Sequence, residues 1–167
     1  MLAHSWLIRH EVAADLPEIE ALQAEAFGPG RFAKTAFRLR EGVPHDTRLS
    51  FVGLDGDVFA GSVWLTPITI GDAPSQLLGP LAVSPAFKNR GLGRLLVNQA
   101  LKTAQALGET SVLLVGDAPY YGPLGFAPVP FGRIHLPGPV DPARLLVANL
   151  VPGSEMPSGV VRGRRGG

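Results

Sequence analysis

From Leu78 to Phe126 the chain passes through three patterns in succession, and together they admit few architectures. Leu78-Gly79-Pro80-Leu81-Ala82-Val83 is an apolar run that reads as a strand, Ser84-Pro85 turns it, and a basic loop with two glycines runs from Lys88 to Arg94. From Gly91 to Leu107 the spacing predicts a helix: Leu92, Leu95, Leu96, Ala100, Thr103 and Leu107 recur every three or four residues, with Arg94, Asn98, Lys102 and Gln105 on the opposite, wet stripe. Gly108 is a stop signal, and Ser111-Val112-Leu113-Leu114-Val115 reads as the next strand. Such a helix is roughly 25 Å long at about 1.5 Å per residue, so one face can cover a sheet while its first turn stays free.

That first turn is an anion site in outline. Its amide N–H groups have no intrahelical partner and add to the positive end of the helix dipole. Gly91 and Gly93 remove side chains that would hold a diphosphate away from the backbone, while Lys88, Arg90 and Arg94 bring positive charge. Two other phosphate loops do not fit. A dinucleotide fingerprint needs a third glycine where Leu96 stands, and a P-loop needs Gly-Lys-Ser or Gly-Lys-Thr, which the chain lacks.

The segment Lys88-Asn89-Arg90-Gly91-Leu92-Gly93 resembles the Gln/Arg-x-x-Gly-x-Gly/Ala signature of the GNAT N-acetyltransferase superfamily, whose loop grips the diphosphate of acetyl-coenzyme A; Lys88 replaces the usual Gln or Arg. Downstream, Asp117-Ala118-Pro119-Tyr120-Tyr121-Gly122-Pro123-Leu124-Gly125-Phe126 is similar to the superfamily's tyrosine segment, in which a Tyr precedes a Gly-Phe pair by four residues, and Tyr121 fits that register. The whole series over about fifty residues is more specific than either motif alone.

The resemblance implies an α/β, GNAT-like fold, a mixed and mostly antiparallel twisted sheet flanked by helices on both faces. It implies acetyl-CoA as cosubstrate, with its diphosphate on Lys88, Asn89, Arg90, Gly91, Leu92, Gly93 and Arg94 and its pantetheine amides on the backbone of Leu81, Ala82 and Val83. A splay between that strand and the next would create the slot. Tyr121 would be the general acid for the leaving thiolate, and Tyr120 a wall residue. An Asn that the superfamily often carries before the Tyr is missing, and Asp117 is expected to cap the short helix there. The expected activity is direct acetyl transfer to a primary amine of a small molecule or a protein. The alternatives on the same residues are a non-catalytic acyl-CoA-binding or sensor domain and a nucleotide-phosphate binder.

Composition narrows the rest. A length of 167 residues suits one well-cored domain, expected over residues 1–162, with a disordered tail over 163–167. With 15 Lys plus Arg against 14 Asp plus Glu there is no global field to favour nucleic acid or an anionic membrane. Zero cysteines exclude a thiolate metal site and a cysteine nucleophile on this chain, which favours direct attack by the acceptor. The start lacks a signal-peptide pattern and no stretch approaches the ~20 apolar residues of a membrane span, so the expected location is the cytoplasm. A homodimer is compatible with this reading.

Elsewhere the patterns are weaker. Trp6 to His10 suits a strand, Asp15-Leu16-Pro17-Glu18 starts a helix with Ile19, Leu22, Ala26 and Phe27 inward, and a second, basic helix is expected from about Arg31 to Glu41 with Phe32, Ala36, Phe37 and Leu39 inside. Leu49–Leu54 and Val58–Leu65 form a hairpin about Asp55-Gly56-Asp57, which Ile68-Thr69-Ile70 can prolong. Leu145–Leu150 follows either a short helix or a strand pattern, and Gly159–Arg162 reads as an edge strand. No general base is assignable: His4, His10, His45 and His135 are scattered, and Glu18, Glu20 and Glu25 form a wet helix face. Arg31, Lys34, Arg38 and Arg40 read as a solvated face, with an acidic acceptor as the alternative, and no spacing suggests a metal.

Overall fold

A computed structural model of the chain describes residues 6–164. Its elements in order are β1 (Leu7–His10), α1 (Leu16–Phe27), α2 (Thr35–Leu39), β2 (Phe51–Asp55), β3 (Val58–Ile70), β4 (Ala73–Val83), α3 (Leu92–Ala106), β5 (Ser111–Val115), α4 (Ala118–Tyr121), β6 (Ala127–Pro128), β7 (Ile134–His135), β8 (Leu145–Asn149) and β9 (Gly159–Gly163). Among the described residues nine strands join in the order β1-β2-β3-β4-β5-β8-β6, with β9 paired to the far end of β3 and to β7. Among these described strands only the β4–β5 and β7–β9 pairs are parallel. No helix of the described residues is long and apolar enough to cross a membrane.

Strand alternation sorts the core into two faces. Phe51, Val63, Leu65, Leu78, Val112 and Leu114 pack with Leu92, Leu96, Val97, Ala100 and Ala104 of α3. Val52, Leu54 and Trp64 point the other way, to Ile19 of α1, while Leu77, Leu113 and Val147 meet Leu39 of α2. Helices therefore cover both faces of a mixed, mostly antiparallel sheet. The buried leucines of α3 contribute roughly 2–3 kcal/mol each by leaving water, which seats this helix firmly.

Its start is seated by close approach. Leu92 lies over β2 and β3 where they have glycines: a Cβ on Gly53 would stand 2.5 Å from Leu92 Cδ1, and one on Gly61 3.2 Å from Cδ2. Side chains there would push the first turn of α3 off the sheet.

The strand that matters most is β4. Its parallel contact with β5 is confined to Gln76 opposite Val112 and Leu77 opposite Leu113, whereas β5 stays paired with β8 from Ser111 to Val115. Against β3, Leu78 pairs with Leu65 and Leu81 with Val63, so that Gly79 and Pro80 together face Trp64 in a bulge. A bulge bends its strand. From Leu78 onward β4 leaves β5 and the two strands splay.

Several expectations need correction. The basic helix is not continuous: Lys34 is extended (φ −71°, ψ 141°), so a 3-10 turn over Pro29–Ala33 precedes a short α2. On α3, Val97, Leu101 and Ala104 are buried, while Leu95 and Leu107 are exposed. The Asp15 carboxylate does not cap α1; it accepts from the Val12 amide at 2.8 Å and from Arg9. Ala26 is exposed. Far from lying in a disordered tail, Gly163 pairs with Ile68, and the Arg164 amide donates to the Pro67 carbonyl at 2.9 Å. The rest of that tail, like His4 and the side chain of Phe32, lies outside what is described.

Candidate functional site

The loop after β4 is held from two sides. Inside, Leu92 is locked on the sheet. Outside, the Trp6 indole donates to the Arg90 carbonyl at 3.3 Å and meets Phe87 edge-on at 5.6 Å. Between these supports Asn89 (φ 63°) and Gly91 (φ 84°) take left-handed backbone. The first α3 bond runs from the Leu95 amide to the Gly91 carbonyl at 3.2 Å, and no side chain caps the turn. The amides of Leu92, Gly93 and Arg94 thus have no intrahelical partner.

These amides border a cleft of about 600 Å³ lined by Val83, Lys88, Asn89, Gly91, Gly93 and Arg94, with Tyr120 across from them. The Tyr120 hydroxyl closes in on Gly93, where a Cβ would be 2.5 Å away. Arg94 sits over its ring, 5.6 Å from Cζ to the centroid, and the Tyr121 ring abuts it at 4.8 Å and 80°. Lys88 and Tyr120 also line a second cavity of about 860 Å³, in the splay between Leu78–Leu81 of β4 and residues 114–116 at the end of β5, walled further by Phe37 of α2, by Arg40 just after it and by Tyr121. Cleft and slot are adjacent.

Tyr121 is packed by Gly116, where a Cβ would lie 2.6 Å from its Cε2, and by Phe126 edge-on at 5.8 Å. Burial first, then Tyr120 and Asp117, push its phenol up to about 12, with Arg144 opposing. Burial raises Tyr120 too, against the pull of Arg94. These are the chain's 2 tyrosines, so in a Tyr120→Phe variant the phenolate absorbance reports Tyr121 alone. Its midpoint should stand above the ~10 of a free phenol, because burial is the main cause. A midpoint at or below ~10 would contradict the packing described.

The residues singled out in the sequence divide as follows. Val83, Lys88, Asn89, Gly91, Gly93 and Arg94 meet at the cleft, and Leu81 and Tyr121 at the slot. Leu92 offers only its backbone there, since its side chain is 1% exposed in the core. Ala82 is buried and Arg90 is exposed; neither borders either cavity. Asp117 does not cap α4 through its side chain, which instead lies 3.6 Å from Arg144. None of the described histidines lines the cavities: His10 rests on Phe51, His45 lies 2.7 Å from Glu11, and His135 is exposed in β7. Gly116 escaped the sequence reading as a site residue, and Arg40 entered it only as one of four basic residues read first as a solvated face. A glycine ending a strand and one arginine among several basic residues carry no local signal of what they pack against.

The splayed mixed sheet, the glycine loop and the helix start beside the gap form one continuous site. The model of the Acetyltransferase (GNAT) family matches residues 16–126, and the chain belongs to this family. It is 33% identical over 122 residues, 72% of each chain, to the uncharacterized N-acetyltransferase YhbS of Escherichia coli K12, and 27% identical over 132 residues to YjhQ of the same strain, covering 77% of this chain and 73% of that one. Among solved structures, Escherichia coli YhbS in complex with CoA superposes with a TM-score of 0.77 at 28% identity, covering 98% of this chain and 92% of that one. A GNAT acetyltransferase from Brucella melitensis in complex with acetyl-CoA gives 0.71 at 25% identity over 96% and 97%.

Proposed function

We propose that this chain is an acetyl-CoA-dependent N-acetyltransferase that transfers acetyl directly to a primary amine. The observation that carries the reading is the adjacency of the amide-lined cleft to the splay, with Tyr121 on the wall of the splay. The residues present fit the coenzyme: three free helix amides, two left-handed loop positions and the cations Lys88 and Arg94 suit a diphosphate. Past Leu77 the β4 edge facing β5 has no strand partner among the described residues, so its backbone can pair with an extended arm as a peptide adds to an open sheet. Acetyl-CoA supplies an acetyl group activated as a thioester.

The chain's own part is to orient and to handle protons. The acceptor nitrogen forms the new bond to the acetyl carbon as the carbon–sulfur bond breaks. The ammonium proton leaves to solvent, and the Tyr121 hydroxyl gives its proton to the departing sulfur, to be replenished from water. No cysteine is present, so no acyl-thioester can form on this chain. The test is thiol release from acetyl-CoA across a panel of primary amines, with calorimetry of coenzyme A binding alongside. Acetylated product with at least one amine is expected. Binding without transfer to any amine would instead support a sensor domain.

A further inference from the structure

One cation on the slot wall has guanidinium nitrogens buried without a partner among the described residues. Arg40 follows α2, and its side chain turns from the solvated helix face toward β4, where a Cβ on Gly79 would stand 2.7 Å from Nη2. The Phe37 ring covers it, 4.9 Å from Cζ to the centroid. Nε and Nη1 are shut off from solvent and donate to nothing among the described residues. Burial lowers its pKa to about 9, still above neutrality, and no carboxylate offsets that shift. The cavity's acids are engaged elsewhere: Asp117 lies by Arg144 at 3.6 Å and Asp141 accepts from the Ala143 amide at 3.0 Å.

Burying an unpaired charge is costly, and such groups are normally paired or hydrogen-bonded. Arg40 borders the slot and is only partly covered as a residue, so an anion that enters there meets its guanidinium, and a guanidinium suits the two oxygens of a carboxylate best. The coenzyme's phosphates have a separate place at the loop, so the anion belongs to the other substrate. We infer that Arg40 anchors a carboxylate of the acceptor, and that the amine acetylated is an amino acid or another small amino-carboxylate. This rests on the transferase reading above. Lys34 lines the same cavity and is exposed, so it supplies a second cation at the rim.

The test compares α-amino acids, β-alanine and 4-aminobutyrate, each with its own carboxamide, as acceptors for the full chain. Calorimetry with the corresponding N-acetyl acids and N-acetyl amides in the presence of coenzyme A gives a second readout independent of turnover. At least one acid should exceed its amide on the order of a hundredfold in kcat/KM and in affinity, as for a buried charge pair. Arg40→Met should bring that ratio near one, keep coenzyme A affinity within about twofold, and hold or raise the thermal midpoint, since it removes a buried charge. Arg40→Lys should retain part of the preference. Amides acetylated as well as acids, a preference that survives Arg40→Met, or a tenfold loss of coenzyme affinity in that variant would each overturn the inference. Acid and amide can be compared on the unaltered chain, so a variant that fails to fold does not blunt the test. Coenzyme binding with indiscriminate acetylation defeats only the role of Arg40; no coenzyme binding defeats the transferase reading, and this inference with it.

Discussion

Tyr121→Phe is expected to lower turnover with acetyl-CoA by roughly 10²-fold or more, the usual range for losing a positioned acid, while leaving coenzyme A affinity nearly unchanged. The ring packs against Gly116 and Phe126, and phenylalanine fills the same space, so the fold has no reason to respond. The hydroxyl makes no hydrogen bond to a described residue, which means its removal strands no partner. The sign of the pH dependence follows from burial. An acid catalyst fails when it loses its proton, and a phenol raised to about 12 loses it later than a free one. Activity should rise with pH as the acceptor amine becomes neutral and should show no alkaline fall near ~10, where an exposed phenol would titrate. The same burial makes Tyr121 a weaker donor than a phenol matched to its leaving thiol, so full protonation comes at some expense of driving force. Affinity falling together with turnover, or turnover unchanged, would remove Tyr121 from the chemistry.

What the sequence disclosed was what short-range chemistry encodes. The β4–loop–α3–β5 series was legible because apolar periodicity, turn residues and helix stops act within a few residues of one another, and the hairpin at Gly56 for the same reason. The first half of β4 was not, since Pro74, Ser75 and Gln76 look like loop; in the fold Ser75 Oγ lies 2.7 Å from Ser111 Oγ on β5, and Gln76 Nε2 donates to the Glu109 carboxylate just before β5 at 3.0 Å, so these polar side chains meet partners that lie far away in sequence. Helix α3 was found but its inner face was set slightly wrong, because Leu95 and Leu107 are apolar yet exposed. The splay of β4 from β5 depends on a bulge whose partner, Trp64, is on another strand. Arg40 is the clearest case: four basic residues within one short stretch look like one wet face, and only tertiary packing shows that one of them turns inward.

Gly93→Val should abolish coenzyme A binding to a calorimeter's eye, a loss on the order of a hundredfold or about 2.7 kcal/mol. The reason is specific to the neighbour. Gly93 has ordinary helical backbone, so the substitution strains no φ angle; it collides instead with the Tyr120 hydroxyl at 2.5 Å. Tyr120 is confined between Arg94 and the Tyr121 ring, and yielding would displace side chains on both cleft and slot. Gly91 differs, since a Cβ there meets open space but the φ of 84° disfavours any L side chain, by about 1–2 kcal/mol. The two glycines are thus separable by a second substitution. Gly93→Ala should lose affinity and regain most of it when combined with Tyr120→Phe, because the next atom of that ring is 3.8 Å from the added Cβ; Gly91→Val should gain nothing from Tyr120→Phe. Wild-type affinity in Gly93→Val would mean that the coenzyme's phosphates lie elsewhere.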